Sequence, residues 1–216
     1  MKTIRVLLAD DHKILREGLR ALLDQQPDMA VVGEVDNGRD AVRQVAELMP
    51  DVAIMDIGMP DLNGIVATKQ IKADENEVQV LCLSVHRETH LVTSMLEAGA
   101  SGYLVKTSAA QELIEAVRTV ASGQTYLSPS VAKDFVSHHV RGKSDEASSS
   151  YTDLTKRERE ILQLIAEGLH TAAIADRLHI SSKTVLAHRQ KIMDKLGLDS
   201  TVALARYALR KGIVEL

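Results

Sequence analysis

The first 122 residues alternate between short apolar runs and longer segments whose apolar residues recur every three or four positions. Short apolar runs are typical of buried strands, and the longer segments are typical of amphipathic helices that cover a sheet. The short runs are IRVLL (4–8), MAVVGEV (29–35), VAIM (52–55), VQVLCLSV (78–85) and GYLV (102–105). This alternation predicts an α/β domain with a doubly wound, five-stranded parallel sheet, because the length is too short for a closed eight-stranded barrel.

The pattern changes after residue 122. The segment PSVAKDFVSHHV predicts a connecting helix, and the polar residues 140–152 predict a flexible linker. From residue 151 onward only helical periodicity remains. Thr155 and Glu158 form a capping-box pattern, and three glycines fall where helices are expected to end, namely Gly168, Gly197 and Gly212. These signals predict an all-α domain of four helices, and hence three parts: residues 1–122, 123–150 and 151–216.

The composition is that of a folded protein, with 45% hydrophobic and 26% charged residues. The one cysteine, Cys82, lies in an apolar run, so we expect it to be buried. A single cysteine excludes an internal disulfide framework and fits a reducing compartment. No apolar run approaches the roughly 18 residues that a membrane span needs. The first residues, MKTIRVLLADD, become acidic too early for a signal peptide. We therefore expect a cytoplasmic protein without membrane insertion.

The net charge of −4 is unevenly distributed along the chain. Residues 1–150 carry 15 Lys and Arg against 22 Asp and Glu, whereas residues 151–216 carry 11 against 8. An acidic N-terminal part and a basic C-terminal part indicate two domains with different partners. Nucleic acid is the candidate partner of the basic domain.

Polar residues follow the predicted strands at their carboxyl ends, where ligands bind in open α/β sheets. The first strand runs into Asp10 and Asp11, the third into Asp56, the fourth ends at Ser84, and the fifth runs into Lys106. Converging carboxylates repel one another unless a cation joins them. Oxygen ligands with room for water favour Mg²⁺ over zinc. The arrangement predicts a phosphoryl-accepting site in which Asp56 is the nucleophile.

The motifs ADDH, MDIGMPDLNG, LSVH and GYLVK, in this order and spacing, resemble the receiver domain of bacterial two-component response regulators. The resemblance covers about residues 3–122 and implies a flavodoxin-like fold. It also implies that Asp56 accepts a phosphoryl group from a sensor histidine kinase and that Lys106 contacts this group. On phosphorylation Ser84 is expected to be drawn in and Tyr103 to turn inward. The implied Mg²⁺ ligands are Asp10, Asp11, Asp56 and the Gly58 carbonyl.

Two residues depart from the commonest receiver pattern. Gly58 places no side chain near the acceptor, and Val85 is bulkier than the small residue that usually follows the switch hydroxyl. Both positions bear on how fast the phosphoryl group is lost, so the lifetime of the phosphorylated form stays open.

In the helical region, a helix at about 171–178 and another at about 183–196 meet across LHISS, which predicts a helix-turn-helix. On the second helix Val185, His188, Ile192 and Leu196 share one face and are expected to pack inward. The residues expected to face or flank DNA are Lys183, Thr184, Leu186, Ala187, Arg189, Gln190, Lys191 and Lys195.

The motifs LTKREREILQLIAEG, IADRL, IS, TV and KLGL resemble the LuxR-type helix-turn-helix over roughly residues 151–214. Joined to a receiver, the chain resembles the NarL/FixJ subfamily. The resemblance implies a dimer on double-stranded DNA, with the last helix (200–211) contributing to pairing, and RNA polymerase as a further partner. Residues 170–173 read His-Thr-Ala-Ala instead of the usual Ser-Asn-Lys-Glu, and Leu186 stands where a lysine is common. No known recognition sequence therefore carries over.

These observations predict a phosphorylation-switched transcription regulator, not an enzyme with turnover. Two alternatives stay open. A phosphatase of the haloacid dehalogenase type also uses an aspartyl nucleophile, but it needs a second carboxylate at the position of Gly58. The other alternative is a phosphorylation-independent DNA-binding regulator with a structural receiver domain, which a DNA affinity unchanged by Asp56→Asn would favour.

Overall fold

The computed structural model describes residues 3–73, 77–108, 110–140 and 154–214. The chain divides into two compact units, Met1–Lys143 and Ser144–Leu216. Nearly all of the predicted linker 140–152 lies outside the described residues. Within the described part, no helix is both long enough and apolar enough to cross a bilayer.

The N-terminal unit is a parallel sheet with the strand order β2-β1-β3-β4-β5-β6, covered by helices. Its strands are β1 (Ile4–Ala9), β2 (Met29–Val35), β3 (Val52–Met55), β4 (Gln79–Ser84), β5 (Gly102–Val105) and β6 (Tyr126–Leu127). Its helices are α1 (Lys13–Asp24), α2 (Gly38–Leu48), α3 (Gly64–Ala73), α4 (Thr89–Glu97), α5 (Ala110–Ala121) and α6 (Pro129–Val140). The five predicted strands and their parallel arrangement are confirmed.

The expectation of a five-stranded sheet is wrong, because the described residues form six strands. The sixth strand, β6, pairs in parallel with β5, with Tyr126 opposite Gly102 and Leu127 opposite Tyr103. A two-residue strand is too short to produce a hydropathy pattern. Its pairing arises from the position of the chain beside the edge of the sheet.

The alternation of side chains along the central strands produces two cores, one on each face of the sheet. Leu7, Ala53 and Met55 point to the face covered by α2, α3 and α4. Val6, Val52 and Ile54 point to the face covered by α1 and α5. The predicted doubly wound arrangement is therefore confirmed, and Cys82 is fully buried as expected.

The predicted connecting helix, α6, packs against α4 and β5. Val131 is buried in the core of the first face, and Phe135, one turn later, packs against the same core. Since these side chains lie four residues apart, they share one face of the helix. The helix is thus an integral part of the N-terminal unit.

The C-terminal unit contains four helices among its described residues. They are α7 (Lys156–Ala166), α8 (Thr171–Arg177), α9 (Ser182–Leu196) and α10 (Thr201–Arg210). The capping box is confirmed, because the Thr155 hydroxyl accepts from the Glu158 amide and the Glu158 carboxylate accepts from the Thr155 amide. Gly168, Gly197 and Gly212 follow helix ends with positive φ values, as predicted.

Candidate functional site

The acidic residues Asp10 and Asp56 leave two neighbouring strands at the same edge of the sheet. Ala9 lies opposite Met55 in the register of β1 and β3, so the residues that follow both strands are brought together. The Asp56 amide donates to the Ala9 carbonyl at 2.9 Å. Asp10 and Asp56 are 3% and 0% exposed, whereas Asp11 is exposed to solvent. Oxygens of these three carboxylates lie within 4.8 Å of one another.

Lys106 joins the two buried carboxylates. Its Nζ lies 2.8 Å from Asp56 Oδ2 and 2.9 Å from Asp10 Oδ2. The Lys106 amide donates to the Ser84 carbonyl at 2.8 Å, which fixes the start of the loop after β5. Burial lowers the pKa of Lys106, but the charges of Asp56 and Asp10 and their hydrogen bonds outweigh this effect and raise it above its ordinary value. Lys106 is therefore a cation at neutral pH.

The cluster of Asp10, Asp11, Asp56 and Lys106 has a residual negative charge. Three carboxylates and one ammonium leave a formal charge of −2 in a partly buried site. A divalent cation would neutralise this charge, and carboxylate oxygens are the donors that Mg²⁺ prefers. The residues present therefore fit a magnesium ion. Gly58 lies partly exposed in the loop after β3, and its carbonyl as a ligand stays a prediction.

His12 is a member of the site that the sequence reasoning missed. Its amide donates to Asp10 Oδ1 at 2.8 Å, and its ring Nδ1 lies 2.8 Å from Asp11 Oδ1 and 3.2 Å from Asp10 Oδ1. Arg16 also donates to the Asp10 carbonyl. His12 follows the aspartate pair directly in ADDH, and this adjacency was the available signal. Both contacts hold Asp10 in its orientation.

The predicted switch residues, Ser84 and Tyr103, are both fully buried. The Ser84 hydroxyl accepts from the His86 amide at 3.2 Å, and the Tyr103 hydroxyl donates to the His86 carbonyl at 3.0 Å. Burial raises the pKa of Tyr103 well above its ordinary value, so the phenol is neutral. Tyr103 was expected to turn inward on phosphorylation, but its ring already lies inside the unit in this conformation.

Tyr103 also contacts the segment that leads to α6. Its carbonyl accepts from the Ser128 amide at 3.0 Å, and Ser128 is buried immediately before α6. The Ser128 carbonyl in turn accepts from the Ala132 amide at 2.8 Å, in the first turn of the helix. Strand β5, which carries Tyr103, is therefore hydrogen-bonded to the residue that directly precedes α6.

The DNA-binding residues predicted from the sequence lie mainly on the exposed face of α9. Val185 and Ile192 are buried and His188 and Leu196 are partly buried, so the predicted inward face is confirmed. The opposite face exposes Lys183, Leu186, Ala187 and Gln190. Lys191 is exposed beside this face, and Arg189 is partly exposed.

Each helix of the helix-turn-helix has a side chain that caps its N-terminus. The Ser181 hydroxyl accepts from the Thr184 amide at 3.1 Å and lies 2.8 Å from the Thr184 hydroxyl. Thr184, predicted at the DNA surface, therefore helps to form the N-terminus of α9. His170 Nδ1 accepts from the Ala173 amide at 3.2 Å and caps α8. His170 therefore caps this helix at a position where LuxR-type domains usually have a serine.

Lys195 differs from the other predicted DNA-binding cations. Its Nζ donates to Glu158 Oε2 at 2.7 Å, and this carboxylate is almost fully buried. A carboxylate at hydrogen-bonding distance competes with any DNA phosphate for the ammonium. The pattern of exposed lysines on one helix could not show this partner, which is 37 residues away along the chain. We therefore leave Lys195 out of the proposed DNA surface.

The Glu158–Lys195 pair is expected to make the C-terminal unit sensitive to acid. Burial raises the pKa of Glu158, but hydrogen bonds from Lys195 and Thr155 outweigh this and hold it below its ordinary value of 4.5. A depressed folded-state pKa contributes stability that is present above pH 4.5 and is lost as the pH falls through the folded value. We expect Glu158→Gln to lower the free energy of unfolding by about 1–3 kcal/mol at pH 7 and to flatten this acid dependence. Calorimetry between pH 3 and 7 measures both effects. If Glu158→Gln lowers the free energy of unfolding equally at pH 3 and at pH 7, the charge of Glu158 does not stabilise the unit.

Comparisons with known proteins agree with the fold and the site. Residues 6–118 match the response regulator receiver domain, and residues 152–208 match the bacterial regulatory proteins of the luxR family. Oxygen regulatory protein NreC of Staphylococcus epidermidis is 40% identical over 217 residues, covering 98% of this chain and all of NreC. Transcriptional regulatory protein LiaR of Bacillus subtilis is 41% identical over 211 residues, covering 98% and 99%. The chain is also similar to a solved structure of RcsB from Salmonella enterica serovar Typhimurium, bound to promoter P1flhDC in the presence of phosphomimetic BeF3−. The two sequences are 26% identical, and the TM-score is 0.61. The match covers 99% of this chain and 100% of the RcsB chain.

The parallel sheet with an acidic cluster at its carboxyl edge, followed by a helix-turn-helix unit, defines a receiver joined to a DNA-binding domain. The chain belongs to the two-component response regulators of the NarL/FixJ subfamily, and it is a DNA-binding transcription regulator.

Proposed function

We propose that Asp56 accepts a phosphoryl group from the phosphohistidine of a sensor histidine kinase. The observation that carries this proposal is the buried Asp56 carboxylate, with one oxygen 2.8 Å from the Lys106 ammonium. A carboxylate oxygen of Asp56 attacks phosphorus, the phosphorus–nitrogen bond breaks, and the imidazole leaves with the electron pair. Lys106 then balances the added negative charge.

The proposed metal is Mg²⁺, held by Asp10, Asp11, Asp56 and the Gly58 carbonyl. When bound, it supplies positive charge to the phosphoryl oxygens. His12 and Arg16 orient Asp10, and the exposed Asp11 leaves one side of the site open to solvent. Access from solvent also suits a donor histidine on another protein.

We propose that phosphorylation is transmitted from Asp56 to α6. The Ser84 hydroxyl accepts from the His86 amide and would donate its O–H to a phosphoryl oxygen on Asp56. Moving toward that oxygen would displace the His86 amide, so the loop after β4 is expected to move. Tyr103 donates to the His86 carbonyl in the same loop and accepts, through its own carbonyl, from Ser128. A change at this loop therefore reaches the start of α6, which precedes the linker. The position of the loop in this structure and a second position in the phosphorylated form would be the bistable element that the switch requires.

The proposed output is binding of a homodimer to double-stranded DNA through the exposed face of α9. The basic residues Lys183, Arg189 and Lys191 would neutralise phosphates, and α10 would contribute to pairing. RcsB, bound to a promoter in the presence of a phosphomimetic, supports the link between phosphorylation and DNA. A regulator at a promoter also meets RNA polymerase, and DNA as the partner supports a cytoplasmic location.

The experiment is intact-mass measurement after incubation with Mg²⁺ and acetyl phosphate, followed by size-exclusion chromatography and DNA-binding titration. We expect one phosphoryl adduct in the wild type and in Asp36→Asn, an exposed control, and none in Asp56→Asn. Adduct formation is expected to shift the protein toward a dimer. Beryllofluoride replaces the phosphoryl group if the adduct is short-lived.

Two results would contradict the proposal. If neither acetyl phosphate nor beryllofluoride changes the size or the DNA affinity, the protein is a phosphorylation-independent regulator. If it hydrolyses phosphate esters with repeated turnover, the phosphatase alternative replaces the switch.

A further inference from the structure

We propose that α9 recognises A·T base pairs in the major groove, with Leu186 contacting a thymine methyl group and Gln190 hydrogen-bonding an adenine. The inference rests on the proposed DNA-binding function and names the kind of sequence that this surface selects.

Leu186 is an apolar residue on the exposed, otherwise largely polar face of α9. It is 44% exposed, and it is one of few large hydrophobic side chains in the described residues with such exposure. Its neighbours on this face are Lys183, Ala187 and Gln190, all of which are exposed. The thymine C5-methyl is the apolar group that the base edges present in the major groove. Contact with it would remove Leu186 from water, and the small side chain of Ala187 permits close approach of the helix.

Gln190 is held in a defined orientation by Asp194. Its Nε2 donates to Asp194 Oδ1 at 2.8 Å. A carboxylate only accepts hydrogen bonds, so the amide nitrogen must be the atom that faces it. One N–H and Oε1 of Gln190 then remain for a base. This pair matches N7 and N6 of adenine, the pattern that glutamine recognises bidentately. The tether also limits the side-chain freedom lost on binding.

The spacing of the two residues suits neighbouring base pairs. Leu186 and Gln190 are four residues apart and share one face of α9, separated by about 6 Å along the helix axis. This separation corresponds to one or two base-pair steps of about 3.4 Å each. Since adenine pairs with thymine, both contacts select the same kind of base pair. The basic residues around them contact phosphates and carry no sequence information.

The test uses the full chain with Mg²⁺ and beryllofluoride. A random-sequence DNA duplex library is first selected for binding, and the enriched half-site is then altered one atom group at a time. Replacing thymine with uracil removes only the methyl group, and replacing adenine with 7-deazaadenine removes only the N7 acceptor. We expect the uracil duplex to bind the wild type about fourfold more weakly per contacted methyl, and the deaza duplex at least about fivefold more weakly.

Each variant is expected to lose one of these responses. Leu186→Ala is expected to bind thymine and uracil duplexes equally, and Gln190→Ala is expected to bind adenine and deazaadenine duplexes equally. Asp194→Ala is expected to reduce the deazaadenine response while leaving the uracil response intact. Val136→Ala, which shortens an exposed apolar side chain on α6, serves as the matched control and should keep both responses.

The outcomes separate this inference from the function on which it rests. An enriched half-site without A·T pairs, or a uracil response that persists in Leu186→Ala, overturns the inference while DNA binding stands. If the full chain retains no DNA duplex from the library, the DNA-binding function itself is overturned.

Discussion

Replacing Gly64 with alanine is expected to abolish phosphoryl acceptance at Asp56 and to destabilise the N-terminal unit by about 3 kcal/mol. A Cβ at Gly64 would lie 2.0 Å from the Asp56 carbonyl oxygen and 2.9 Å from its carbon. Both atoms belong to the backbone, so no side-chain rotation can relieve the clash. Either α3 or the strand end that carries Asp56 must move, and the Gly64 amide then loses its 3.0 Å hydrogen bond to the Ile57 carbonyl.

The matched control for Gly64→Ala is Gly18→Ala in α1, where a Cβ meets nothing within 4 Å. This control is expected to stabilise the unit by up to about 1 kcal/mol, because alanine reduces the entropy of the unfolded chain. Hydrogen exchange of peptides from residues 52–73 measures the local stability in the full chain, and intact mass measures phosphorylation. A Gly64→Ala protein with wild-type exchange and a normal adduct would show that the close approach has no functional consequence.

Replacing Lys106 with methionine is expected to destabilise the N-terminal unit by about 3 kcal/mol at neutral pH without Mg²⁺. The Lys106 ammonium is the counter-charge shared by Asp10 and Asp56, whose side chains are 4% and 0% exposed. Without it, two buried carboxylates repel each other. The loss is expected to shrink when Mg²⁺ is added, because the ion supplies positive charge to the same carboxylates.

The matched control is Lys69→Met, which removes an exposed lysine from α3. It is expected to change the stability by less than about 0.5 kcal/mol. Denaturant unfolding of the full chain at increasing Mg²⁺ concentrations measures the coupling. If Mg²⁺ stabilises Lys106→Met and the wild type equally, then Lys106 and the metal do not share the same carboxylates.

Much of the fold could be predicted from local patterns. The strand runs, the helix ends at Gly168 and Gly197, and the capping box at Thr155 all depend on neighbours within a few residues. The convergence of Asp10 and Asp56 could also be predicted, because parallel strands present their carboxyl ends at one edge of the sheet. Strand β6 could not be predicted, because two residues show no periodicity.

The site was predicted less completely than the fold. His12 directly follows Asp10 and Asp11 and lies against both carboxylates, but the motif alone did not show that its ring turns toward them. Tyr103 was expected to turn inward on phosphorylation, but its side chain is already buried, with its hydroxyl donating to the His86 carbonyl. The Gly64 contact with the Asp56 carbonyl depends on how closely α3 approaches the strand end.

The sequence by itself determined the two kinds of domain, the order of the strands and helices, the buried carboxylate of Asp56 at a strand end and the exposed face of α9. These features follow from hydrophobic periodicity and strand direction, which are local properties. Only the tertiary structure decided that Lys106 is shared between Asp10 and Asp56, that α6 packs on the N-terminal unit, and that Lys195 binds Glu158. Each of these contacts joins residues far apart in the chain, and their partners are chosen by packing and charge neutralisation, which local periodicity does not record.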